Sequence, residues 1–165
     1  MELLYHVDEK DNVIGSVERS RAHQLEALHR SGMIFLLDKH DNILIPHRSP
    51  SKETFPDCYD ASSTFHITFG ETYDQGANRE LFEETGLKAK IKFMGKFLHH
   101  DSPEYQMVAV YFCRSDKPVT LDPNEASEAR FLSRSQVDRI IQQEKTTPWL
   151  RDGWKVFSKY MWRKS

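Results

Sequence analysis

The chain has 165 residues, of which 38% are hydrophobic, 12% aromatic and 29% charged, the makeup of one ordinary folded domain. Lys plus Arg number 23 and Asp plus Glu 25, a net charge of −2 that excludes a protein coating nucleic acid by bulk charge. The longest apolar stretch, Met107–Cys113, is less than half a membrane span, and Met1–Asp8 has neither the basic start nor the apolar run of a signal peptide. Cys58 and Cys113 lie 55 apart, which fits neither a disulfide framework nor a zinc knuckle. A reducing, cytoplasmic location is expected.

In chain order, Leu3–Val7 and Val13–Val17 flank the charged turn Asp8–Asn12 and predict an N-terminal hairpin, a candidate dimer element. A second hairpin, Met33–Leu37 and Ile43–Ile45, turns at Lys39–Asn42. Residues 48–63 carry Ser, Pro and charge without a period and read as a long loop of the kind that is usually functional. Thr64–Phe69 is expected to be a strand. Thr72 with Gln75 fits a capping box, and Gly86 stands where a helix-ending glycine belongs. Ala89–Leu98 and Gln106–Cys113 predict two more strands, the second apolar on both faces and hence central. Ser133–Glu144 predicts a helix. The aromatic tail Pro148–Trp162 predicts another, with Trp149 and Trp154 in core packing rather than stacked on a ligand. One domain over 1–165 is expected, divided into an extension (1–30), a core (31–145) and a C-terminal helix (146–165).

The stretch Gly70–Leu87 is the informative one. On a helix Glu80, Glu83 and Glu84 stand at i, i+3 and i+4, inside one narrow stripe, where like charges repel. A hard divalent cation relieves that repulsion, because Mg²⁺ takes oxygen ligands and shares them with substrate phosphates. Arg79 can hydrogen-bond a neighbouring carboxylate and hold it in place, and Glu71 can lean over the same cluster.

These residues resemble the signature of the Nudix hydrolases, G-x5-E-x7-R-E-U-x-E-E-x-G-U with U aliphatic: Glu71, Arg79, Glu80, Leu81, Glu83, Glu84, Gly86 and Leu87 all match. The resemblance implies an α/β/α sandwich with a mixed sheet. It also implies hydrolysis, with Mg²⁺ or Mn²⁺ in its place, of a small-molecule substrate: a nucleoside diphosphate linked to another moiety. Glu80, Glu83 and Glu84 are then the implied metal ligands, Arg79 the residue that orients them, and Glu71 a ligand or a support for one. The pattern's first glycine falls on Phe65. In the family the backbone there offers a carbonyl to the metal, and phenylalanine does not easily take a positive φ, so a different loop geometry is expected. That departure also keeps open an inactive binding module.

A wider resemblance runs from about residue 3 to residue 132. Arg48, Lys52, Pro56 and Tyr59 are similar to the R-x3-K-x3-P-x2-aromatic stretch of type 1 isopentenyl-diphosphate isomerases, which implies that Arg48 and Lys52 bind phosphate. The isomerase chemistry needs a cysteine where this chain has Thr64 and a glutamate where it has Gln106, and neither replacement titrates usefully. Hydrolase is therefore the stronger reading, isomerase the alternative. His23, His29 and His66 lie near the isomerases' metal-binding histidines, but the first two are six apart, one short of that spacing, and ordinary loop histidines are expected. For the general base, Glu125 resembles the family's late glutamate and is preferred over Glu104.

Overall fold

The computed structural model describes residues 1–163. The core of its sheet is β3 (His29–Leu37), which runs parallel to β7 (Glu104–Arg114) over its whole length, from His29 opposite Gln106 to Leu37 opposite Arg114. On β3's other edge three antiparallel partners follow one another. They are β1 (Leu3–Val7) at its start, β5 (Ser63–His66) in the middle and β4 (Ile43–Arg48) at its end. β2 (Val13–Glu18) extends β1, β6 (Lys92–Asp101) extends β7, and β8 (Ala126–Leu132) extends β4, giving one mixed eight-stranded sheet.

Residues 33–37 are apolar without alternation because both faces of β3 are covered. Met33, Phe35 and Leu37 pack with Val108, Val110 and Phe112 under α3 (Arg134–Gln143) and α4 (Leu150–Met161), against Val137, Trp154 and Phe157. Ile34, Leu36, Ala109 and Tyr111 face the other way, against Ala77 and Leu81 of α2 (Tyr73–Thr85). The layers are helix, sheet, helix. At about 2 kcal/mol for each fully buried Leu or Ile side chain, this double covering supplies the main stabilisation of the sheet.

The N-terminal hairpin is present, whereas the second pairs only at Leu37 and Ile43 because β5 takes that edge of β3 and β4 turns to β8. The capping box is complete: Thr72 Oγ1 accepts from Gln75 N–H while the Gln75 side chain accepts from Thr72 N–H. Gly86 closes α2 with φ 74°, left-handed backbone that glycine adopts without steric cost. Elsewhere the boundaries move. The expected strand Thr64–Phe69 stops at His66, and Ala89–Leu98 is displaced to Lys92–Asp101. The C-terminal helix begins at Leu150 and ends at Met161 rather than spanning 146–165, and Lys164 and Ser165 lie outside the described residues. β8 and the single-turn α1 (Arg19–Ala22) carry no sequence signal: Ala-Ser-Glu-Ala-Arg-Phe-Leu has weak strand propensity, and β8 forms because β4 offers it an edge.

Phe65 corrects the expected loop geometry. It is an ordinary residue of β5 opposite Gly32, and its φ is not positive. A methyl group at Gly32 would stand 2.6 Å from Phe65 Cε2, so the bulk absent from one strand is supplied by the other. We expect Gly32→Ala to cost about 1–3 kcal/mol by overpacking and clearly less when added to Phe65→Leu. Denaturant unfolding of the four variants checks this, and an equal cost in both backgrounds would show that the ring is not what the methyl strikes.

Candidate active site

A cleft of about 860 Å³ opens around the edge of β5. α2 contributes Glu80 and Glu84 to its wall, the loop after β4 contributes Lys52 and Thr54, and the turn just before β8 contributes Glu125. The floor comes from Ser31 and Met33 of β3, Thr64 and His66 of β5, and Gln106 and Val108 of β7. These floor residues alternate along their strands, so they share one sheet face.

The signature residues divide the work among themselves. The Arg79 guanidinium lies between carboxylates, donating to Glu71 Oε1 at 2.7 Å and Oε2 at 3.1 Å, and to Glu80 Oε1 at 2.6 Å. Glu71 also accepts from Thr68 N–H at 2.7 Å. Burial pushes the Glu71 carboxyl up, but Arg79 and Thr68 outweigh it and keep it below the usual carboxylate range. Glu71 therefore acts as the anchor of Arg79, and Arg79 orients Glu80. Glu83 contacts Arg79 Nη1 at 3.4 Å and points outward, its side chain 55% exposed and outside the cleft lining.

Glu80 and Glu84 are the half-buried pair. Burial raises the Glu80 carboxyl above its usual range, although Arg79 pulls the other way. Burial raises Glu84 further, with the charges of Glu80 and Glu125 adding to it. Carboxylates crowded out of water in this way are stable when a cation sits among them, and an all-oxygen donor set suits Mg²⁺. The residues present fit that metal.

On the opposite wall Lys52 Nζ meets Glu125 Oε2 at 2.8 Å. The two candidates thus come together, but on each other. Arg48 lines the cleft with its guanidinium already engaged: it donates to the carbonyls of Thr54 (2.8 Å) and Phe55 (3.1 Å) and to Asp60 Oδ2 (3.3 Å). Those bonds make it a brace for the loop that carries Lys52. Asp60 had no sequence signal and emerges as the hub of this wall. Fully buried, it accepts from Ala61 N–H, Thr147 Oγ1, Trp149 Nε1, Thr64 Oγ1 and Arg48. Burial pushes its carboxyl up, while the Arg48 charge and these donors favour the ionised form. Trp149 is pinned there by its indole N–H, edge-on to Phe55, and both Trp149 and Trp154 belong to the core.

At the far end of the cleft the three histidines, expected to be scattered, converge. The ligand nitrogens of His23, His29 and His66 lie within 4.8 Å of one another. His29 Nδ1 is 2.8 Å from the Ala27 carbonyl, which can only accept, so Nδ1 carries the proton and the buried Nε2 presents a lone pair without a partner. Burial holds His29 and, more strongly, His66 below the usual imidazole range, in the neutral form that binds metals. Glu104 joins the group: its Oε2 lies 3.1 Å from His23 Nε2 and accepts from Gln106 Nε2 at 2.5 Å. Three imidazoles and a carboxylate can hold a transition metal.

A NUDIX-domain family profile matches residues 27–152. The chain is 28% identical over 161 residues to the uncharacterized Nudix hydrolase PA4841 of Pseudomonas aeruginosa, covering 97% of this chain and 94% of that one. It is 30% identical over 145 residues to isopentenyl-diphosphate Delta-isomerase 2 of Photorhabdus laumondii, covering 85% and 82%. The crystal structure of DR0079 from Deinococcus radiodurans superposes with a TM-score of 0.80 at 30% identity, covering 96% of this chain and 99% of that one. No helix among the described residues is long and apolar enough to cross a membrane. The profile spans most of the chain and includes the helix whose Glu80 and Glu84 face the cleft, and the chain belongs to the Nudix hydrolase family.

Proposed function

We propose that the chain, acting as one unit over residues 1–165, is a Mg²⁺-dependent pyrophosphohydrolase. Its substrate in this reading is a nucleoside diphosphate linked to another moiety. The observation that carries it is the presence of the half-buried carboxylates Glu80 and Glu84 with Lys52 and Glu125 in one cleft. Glu80 and Glu84 would hold the metal from within the cleft, and Glu83, which points outward beside Arg79, would join them by rotation of its side chain, with Glu125 able to reach the same group. Bound there, the metal neutralises charge on the phosphates as the diphosphate bond breaks.

The protein's own residues do the rest. Glu71 fixes Arg79 and Arg79 fixes Glu80, so the ligand oxygens need no reorganisation when substrate arrives. Lys52 supplies a positive charge for a phosphate oxygen, on a loop braced by Arg48. Glu125 takes the proton of the attacking water. The isomerase alternative is favoured by the histidine cluster and opposed by what surrounds it. Thr64 Oγ1 donates to Asp60 at 3.2 Å, and Gln106 is bonded to Glu104, so neither can exchange a proton with a prenyl chain. The floor also carries Ser31, Thr64, His66 and Gln106, polar groups that an isoprenoid would desolvate without compensation.

Three outcomes test this reading. Mg²⁺-dependent phosphate release, screened across nucleotides, dinucleotides, nucleotide sugars and prenyl diphosphates, should identify a substrate. On it Glu83→Gln or Glu84→Gln should lower kcat by roughly a hundredfold, about 2.7 kcal/mol of barrier, with unchanged circular dichroism. No release on any of them would leave a binding module as the better account. Incubation with isopentenyl diphosphate and Mg²⁺ should give no dimethylallyl product. Finally, Glu125→Gln should lower kcat with little change in KM while Glu104→Gln should not; the opposite result would assign the base to Glu104 and favour the isomerase-like geometry.

A further inference from the structure

The two charged groups on the wall facing Glu84 neutralise each other. Lys52 Nζ sits 2.8 Å from Glu125 Oε2, whereas the proposed function asks Lys52 to meet a phosphate and Glu125 to turn toward the metal or the water. While the pair is closed, each group spends its charge on the other. The pair is also built to open. Its side chains are 25% and 45% exposed, so water competes for both charges and the bond is weak. The backbones stay joined whether or not the side chains meet, because Ser49 N–H donates to the Glu125 carbonyl at 3.0 Å and Lys52 N–H to the Ser49 carbonyl at 3.2 Å. Opening therefore needs only rotation of two side chains above a fixed base. Glu125 also lines, with Glu84, Asp122 and Ser63, a small cavity of about 40 Å³ behind the carboxylate wall, so it has somewhere to turn beside Glu84.

We propose that Lys52 and Glu125 form an exchangeable latch that couples metal binding to phosphate binding, metal first. This rests on the proposed function. A cation entering the Glu80/Glu84 site attracts Glu125 more strongly than a hydrated ammonium does, and Glu125 leaves Lys52 for it. Lys52, now without a counter-ion and facing a newly cationic wall, attracts an anion. The diphosphate then supplies to Lys52 the charge that Glu125 has withdrawn. Coupling of this kind is reciprocal: whatever opens the pair favours both ligands.

The test reads metal binding alone, in the full chain, with Mn²⁺ as probe and free Mn²⁺ followed by electron paramagnetic resonance. Wild type, Lys52→Met, Glu125→Gln and the double variant are compared, each verified as folded by circular dichroism. Removing Lys52 should tighten Mn²⁺ binding by about two- to fivefold, the range that a weak exposed ion pair commands. Glu125→Gln should weaken binding, and Lys52→Met should then change nothing further. Equal tightening in the Glu125→Gln background would mean that Lys52 acts only through its bulk positive charge, and the latch would be overturned while the metal site stood. The same holds if Lys52→Met leaves wild-type affinity unaltered. A wild-type protein that binds no Mn²⁺ would overturn the proposed function and the latch together.

Discussion

A carboxylate taken out of water must find donors or a cation, and the walls of this cleft are organised by how each buried acid meets that demand. Asp60 meets it entirely within the protein, with five donors drawn from three segments of chain. Glu71 meets it with Arg79 and a backbone amide. Glu80 shares that same arginine. Glu84 has no cation beside it; burial, with the charges of Glu80 and Glu125, raises its carboxyl against the pull of the Ser63 hydroxyl. The acids with cationic or multiple donors hold the architecture, and Glu84 is the one left with the least compensation. Removing a partner from Asp60 would leave a buried charge uncompensated, whereas a cation at Glu84 removes an existing penalty.

That distinction also separates what was legible in the sequence from what was not. Helix α2 was readable at every level, because its cap, its C-terminal glycine and its carboxylate spacing are all local: Thr72 with Gln75, Gly86, and Glu80 with Glu84 lie within one segment. The central strands were readable through their apolar runs, although their ends shifted by a few residues where pairing rather than composition decides. β8 was not readable, since a strand of Ala, Ser, Glu and Arg exists only because β4 leaves an edge for it. Nor was the fate of Arg48. Its motif implies a phosphate binder, but its guanidinium meets the carbonyls of Thr54 and Phe55 and the carboxylate of Asp60, contacts made by a fold of the loop that no spacing encodes.

Phe65 and the histidines show the same limit from opposite sides. The phenylalanine at a glycine position reads as a defect when β5 is considered alone and as a fitted pair once Gly32 is seen across from it. His23 and His29, one residue short of the expected spacing, read more readily as ordinary loop histidines than as metal ligands. The short spacing is absorbed where α1 ends and the chain turns into β3, and the ligand nitrogens converge on His66 all the same.

The cleft therefore meets two clusters of different hardness, oxygens at Glu80 and Glu84 and the imidazoles of His23 and His66 backed by the buried His29, with a floor of mixed polarity. In an isomerase-type site the floor must carry a proton donor and a proton acceptor on either side of an apolar chain. Here both places are held by groups already committed to hydrogen bonds: Thr64 to Asp60, and Gln106 to Glu104. A threonine hydroxyl and an amide keep hydrogen-bonding capacity while giving up titration. They remove proton transfer to carbon from the floor without disturbing the walls that would grip a diphosphate. What is left is a cleft bounded by Lys52, Glu80, Glu84 and Glu125, over a floor whose polar groups, Ser31, Thr64, His66 and Gln106, are interleaved with Met33 and Val108.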